Sequence, residues 1–91
     1  MADIRVERRH QIGKEAAKAA AVRIAERMQE KAQVKYSVKG DTIEFERTGA
    51  SGRITVGDDI VTAEVKLGLL LKPMRSFIEQ KMDEYFGRYF Q

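Results

Sequence analysis

The 91-residue chain has no cysteine, no tryptophan, one proline and one histidine. Without thiols there can be no disulfide, no thiolate nucleophile and no cysteine-based zinc site. That fits a reducing compartment, and the expectation is a cytoplasmic protein. A lone histidine, His10, supplies too few ligands for a metal centre and has no orienting partner that would make it a general base. It reads as a surface or strand-end residue. The longest apolar run is Leu69-Leu70-Leu71, far short of the roughly 20 residues of a membrane span. Met1 to His10 carry three arginines and no apolar run, so no secretory signal is expected there. A surplus of one charge is missing as well. Seventeen Lys and Arg face fourteen Asp and Glu, interleaved along the chain, for a net +3. Nucleic-acid binders gather a basic stripe on one face. Here Arg5, Arg8, Arg9, Lys14 and Lys18 make only a loose basic corner, diluted by Glu7 and Glu15, and no nucleic-acid partner is expected.

What is present is a foldable composition, 43% hydrophobic and 34% charged, with the length of one domain over residues 1–91. A chain this short buries roughly 60–70% of its unfolded surface. A drug-sized cavity of about 300 Å³ or more would come at the expense of core packing, unless two chains shared it.

The apolar pattern changes period along the chain. Ile4 and Val6 alternate with Arg5 and Glu7, which predicts a first strand. Gly13 stands where a helix N-cap belongs, with Ile12 before it as a staple partner for Ala17. From Lys14 to Ala32 the residues Ala17, Ala20, Ala21, Ile24, Ala25, Met28 and Ala32 form one helical stripe. Four period-2 runs follow: Val34, Tyr36, Val38; Ile43, Phe45; Ile54, Val56; and Val61, Ala63, Val65, Leu67. The turns between them are Gly40-Asp41, Gly49 to Gly52 and Asp58-Asp59. These turns predict Val38 opposite Ile43 and Lys35 opposite Glu46. They also put Phe45 opposite Val56, Val56 opposite Val61, and Arg53 opposite Glu64. After Gly68, with Pro73 suited to a first turn, a second helix carries Met74, Phe77, Ile78, Met82, Tyr85 and Tyr89 on one stripe, widened by Phe86 and Phe90.

The order is β-α-β-β-β-β-α, an α+β fold. An antiparallel sheet with one polar face should carry both helices on the other, like a shortened helix-grip. The first strand most simply joins the edge of the last, with the edge of the second as the alternative.

Few constellations carry chemistry. Asp58-Asp59 and Gly40-Asp41 are turn residues before they are cation ligands. The glycines at 49 and 52 bound a loop between strands, whereas a phosphate cradle precedes a helix. No catalytic, cofactor or metal residue is assigned, and no enzyme is expected. The tail Tyr85-Phe86-Gly87-Arg88-Tyr89-Phe90 holds four of the seven aromatic residues. Either its tyrosines cap the core with the phenylalanines partly buried, or Phe86 and Phe90 form an exposed patch. In the second case the interaction surface would be Phe77, Met82, Tyr85, Phe86, Tyr89 and Phe90, and a homodimer would be the simplest way to cover it.

Several segments resemble the small bacterial proteins of the polyhydroxyalkanoic acid system. They are Ala2 to His10 with Gly13 and the alanine-rich helix, Gly40-Asp41-Thr42-Ile43-Glu44-Phe45-Glu46-Arg47, the Ser51-Gly52 turn with Ile54-Thr55-Val56, and Val65-Lys66-Leu67-Gly68. Each segment is weak alone, and the collinear set is fairly specific. The resemblance implies a non-catalytic accessory role in polyester storage, at the granule surface or among granule proteins, and brings no catalytic motif; with the wide apolar arc, the expected contact is the apolar face of the C-terminal helix. A helix-grip binder of small apolar ligands, acting as a dimer, is the alternative.

Overall fold

The computed structural model describes residues 2–90. Five strands, β1 (Ile4–Arg9), β2 (Lys35–Lys39), β3 (Thr42–Arg47), β4 (Ala50–Val56) and β5 (Ile60–Leu67), form one antiparallel sheet in the order β1-β5-β4-β3-β2. Helix α1 (Lys14–Ala32) lies between β1 and β2, and α2 (Arg75–Tyr89) follows β5 through a short 3₁₀ turn at Lys72–Met74. This is the expected α+β order, with β1 on the edge of β5 as the simpler alternative required.

Local chemistry explains the elements. The α1 stripe buries Ala17, Ala21, Ile24 and Ala25 against the sheet, with Ala20, Met28 and Ala32 partly buried. Small side chains at these positions let the helix sit close to the strands. Along the sheet the inner positions Ile4, Val6, Ile43, Phe45, Ile54, Val56, Val61, Ala63, Val65 and Leu67 are all buried. Val38 departs from the expectation: it is 43% exposed, because β2 is the outermost strand and has no neighbour beyond it.

Two hairpins have the predicted register. Val38 pairs with Ile43 and Lys35 with Glu46 across Gly40-Asp41, and Val56 pairs with Val61 and Arg53 with Glu64 across Asp58-Asp59. The middle hairpin does not. Phe45 stands opposite Gly52 rather than Val56, and Arg47 opposite Ala50. The turn is therefore Thr48-Gly49, and Ser51-Gly52 belong to β4. Gly49 supplies the positive φ of 89° that this tight turn requires. Gly52 is a glycine for a different reason. A Cβ there would run into the Glu64 carbonyl of the neighbouring strand and lie 2.7 Å from the Phe45 ring, so the two together occupy the place of the missing side chain. The error is four residues, an even number, so every side chain stays on its expected face.

The outer face of the sheet carries no helix. Across it runs a row of alternating charge, Arg5, Glu64, Arg53, Glu44, ending at Ser37. The expected couples Lys35–Glu46 and Arg53–Glu64 face each other in register. The short ion pairs on this face among the described residues are instead Arg5–Glu7 at 2.8 Å and Lys39–Glu44 at 3.0 Å.

Candidate functional site

The structure separates the six residues of the expected apolar surface. Met82, Phe86 and Phe90 are buried, Tyr85 and Tyr89 are half-buried, and Phe77 alone is exposed. The enclosed pair corrects the expectation of a sticky face at Phe86 and Phe90, which are 0% and 3% exposed within one chain. It also removes the ground on which a homodimer was expected. The apolar arc of α2 is indeed too wide for the sheet alone, but α1 supplies a second wall. Phe86 and Met82 point into the core shared by sheet and helices, while Tyr85 and Tyr89 turn toward α1, with Tyr89 beside Arg27. At Phe90 the chain leaves helical geometry (φ −122°, ψ 60°) while its N–H still donates to the Phe86 carbonyl at 2.9 Å. That bend folds the ring inward, tilted against Phe86 at 5.5 Å and against His10 at 6.1 Å.

His10 lies just past the end of β1 and is buried, which corrects its reading as a surface residue. Its Nε2 is 3.1 Å from the Gly57 carbonyl, and its Nδ1 is buried with no hydrogen-bond partner. Nε2 therefore donates, and the imidazole wedges Phe90 against the β4–β5 turn. The basic corner is largely neutralised: Arg8 pairs with Asp83 at 2.7 Å, Arg5 with Glu7, and Lys14 with Asp41 at 2.6 Å. The last contact raises the pKa of Lys14 and lowers that of Asp41. Among the described residues no group of three or more His, Asp or Glu gathers as a metal centre would need, and no helix is long and apolar enough to cross a membrane.

The exposed apolar surface lies at the opposite end of the same segment. Leu69 is 87% and Leu70 67% exposed, with Met74 at 46% and Phe77 at 54% on the 3₁₀ turn and first turn of α2. This tip is held outward by hydrogen bonds. Gly68 N–H donates to the Gly49 carbonyl at 2.7 Å, and Leu71 and Lys72 N–H both donate to the Gly68 carbonyl at 3.1 Å. The Leu71 side chain packs against Gly49 and one Leu70 methyl reaches the same glycine, while Leu69 and most of Leu70 stay on the outside of the turn. Beneath it, Asp3 accepts the Leu67 N–H at 2.8 Å through its carboxylate, and its backbone carbonyl accepts from Arg75 Nε at 2.8 Å. The Leu67 bond is the main cause of a lowered Asp3 pKa, assisted by Lys72 and Arg75 and opposed by desolvation. Sequence reasoning passed over Leu69 and Leu70 as a run too short for a membrane. The available signal was an apolar triplet in a turn between Gly68 and Pro73, where no helical or strand period gives it a core to face.

Among the described residues, concavities of about 770, 400 and 190 Å³ open on the surface. The one of 770 Å³ lies over the outer sheet face and is lined by Lys35, Lys39, Glu44, Arg53, Glu64 and Lys66 among others. All three are walled chiefly by charged and polar side chains, a poor match for an apolar ligand.

No curated protein and no solved structure matches the chain. A family model described as "Putative polyhydroxyalkanoic acid system protein" matches residues 4–90, nearly the whole length. The chain belongs to that polyhydroxyalkanoic acid system family.

Proposed function

We propose that this is a non-catalytic accessory protein of polyhydroxyalkanoate storage that sits at the granule surface through the apolar tip Leu69, Leu70, Met74 and Phe77. The observation that carries the reading is the pair of neighbouring leucines, 87% and 67% exposed, braced outward by backbone hydrogen bonds. Large apolar side chains exposed together cost free energy in water, about 1.5–3 kcal/mol per side chain relative to full burial, and contiguous ones commonly mark contact surfaces. Membership of the polyhydroxyalkanoic acid system family supports reading that surface toward a polyester body. The dimeric ligand-binder is the weaker reading, because the interior is filled by Phe86, Ile4, Ile24, Ile43 and Ile54 and the concavities are polar.

A fluorescent fusion expressed in polyester-accumulating cells tests the proposal. Wild type should ring the granules, and Leu70→Ser with Phe77→Ser should disperse the signal at unchanged protein level. A diffuse wild-type signal, or a double variant that stays on granules, overturns it.

A further inference from the structure

Along the two helices runs a second feature, which the granule reading does not use. Arg27 and Lys31, one turn apart on α1, and Lys81 and Arg88, two turns apart on α2, line a shallow groove of about 190 Å³ together with Glu84 and Tyr85. Four cations share that lining with one carboxylate, Glu84, which reaches Lys81 at 3.6 Å. Glu30 lies near Arg27 as a further acid. Lys31 and Arg88 enter none of the ion pairs among the described residues, so their charge is available. Lys81 joins this groove to the apolar tip: its Nζ stands 5.7 Å from the centroid of the Phe77 ring. The surface is therefore one strip, apolar from Leu69 to Phe77 and cationic from Lys81 to Arg88.

An apolar tip flanked by four cations, with Lys31 and Arg88 outside any ion pair among the described residues, matches an apolar medium beneath an anionic boundary. We infer that the strip docks on an anionic phospholipid surface, with Leu69, Leu70, Met74 and Phe77 inserted and headgroup phosphates against Lys31, Lys81, Arg27 and Arg88. The groove is smaller than the roughly 300 Å³ of a site that encloses a ligand, and the leucines project from a turn, so a deformable surface fits better than a single molecule. A second copy fits the groove poorly, since a two-fold axis through it would bring cations toward cations. The inference rests on the tip being the contact surface, and adds the charge of what it touches.

Co-sedimentation of the full-length protein with phosphatidylcholine vesicles, with and without phosphatidylglycerol, tests it. Binding should require the anionic lipid and weaken with salt. Each basic residue near such a surface contributes roughly fivefold in partitioning, so Lys31→Gln with Arg88→Gln should lose about 25-fold. Lys35→Gln with Lys66→Gln, the same charge change on the opposite sheet face, should lose little. Equal binding to neutral vesicles, an equal loss in the sheet-face control, or self-association in place of vesicle binding overturns the inference. In cells the two proposals separate. If Lys31→Gln with Arg88→Gln stays on granules while Leu70→Ser with Phe77→Ser disperses, the granule reading stands and the anionic-lipid inference falls. If the wild-type fusion is diffuse while anionic vesicles still bind in the predicted way, the reverse holds.

Discussion

From Leu69 to Phe77 the chain places four large apolar side chains in solvent; from Met82 to Phe90 it encloses three. Both stretches carry large apolar side chains, and they differ in what lies beneath them. The second runs over the sheet with α1 alongside, and its last residue folds back onto His10. The first overhangs the end of β5, where the wall is a turn at Gly49 and a carboxylate at Asp3. Hydrophobicity alone therefore does not identify an interaction surface. Which side of the last element has a neighbour does.

The widest test of that contrast is Phe86→Ala. Removing a fully buried ring should cost about 3–5 kcal/mol, enough to unfold much of a small domain, as urea titration would show. A loss below 1 kcal/mol would mean that the buried half is not the core. His10→Ala comes next. It leaves the Gly57 carbonyl without its donor and Phe90 with Phe86 but not His10 beside its ring, and should cost about 1–3 kcal/mol. If Phe90 became accessible to solvent quenchers at the same time, the wedge role of His10 would be established.

At the exposed end the effects should be smaller and of another kind. Asp3 has its pKa lowered in the folded state. Its contribution to stability is therefore complete above the unfolded carboxyl pKa of about 3.9 and is lost as pH falls through the lower, folded value. Asp3→Asn should remove that part of the acid dependence, and thermal melts from pH 6 down to about pH 2 would register it as a flatter acid limb. The smallest effect belongs to Phe77→Ser. Its melting curve should stay within about 0.5 kcal/mol of wild type, as for an ordinary surface change. A large loss would place Phe77 in the core and erase the distinction between the two stretches.

Much of the fold was legible from particular residues. Gly40-Asp41 and Asp58-Asp59 each sit as a two-residue turn between alternating runs, where the alternation sets the face and the turn sets the register, and both hairpins form as read. The β3–β4 hairpin was misread because two glycines stood within four positions and both looked like turn residues. Only one is. Gly52 is set by the Glu64 carbonyl and the Phe45 ring, contacts between residues on different strands that no local pattern reveals. Of the expected surface, Phe77 alone lies exposed, and Leu69 and Leu70 had no period to announce them.

Periodicity, turn chemistry and the lack of thiols and long apolar runs were enough to set the elements, their order and the side of the sheet on which each side chain falls. Those properties depend on residues near one another in the chain. Which greasy residues of the final helix met water was decided by distance in space. Helix α1 closes over Phe86, the chain end folds onto His10, and the turn at Gly49 braces two leucines outward. Burial is a property of neighbours, and those neighbours come from segments far apart in sequence.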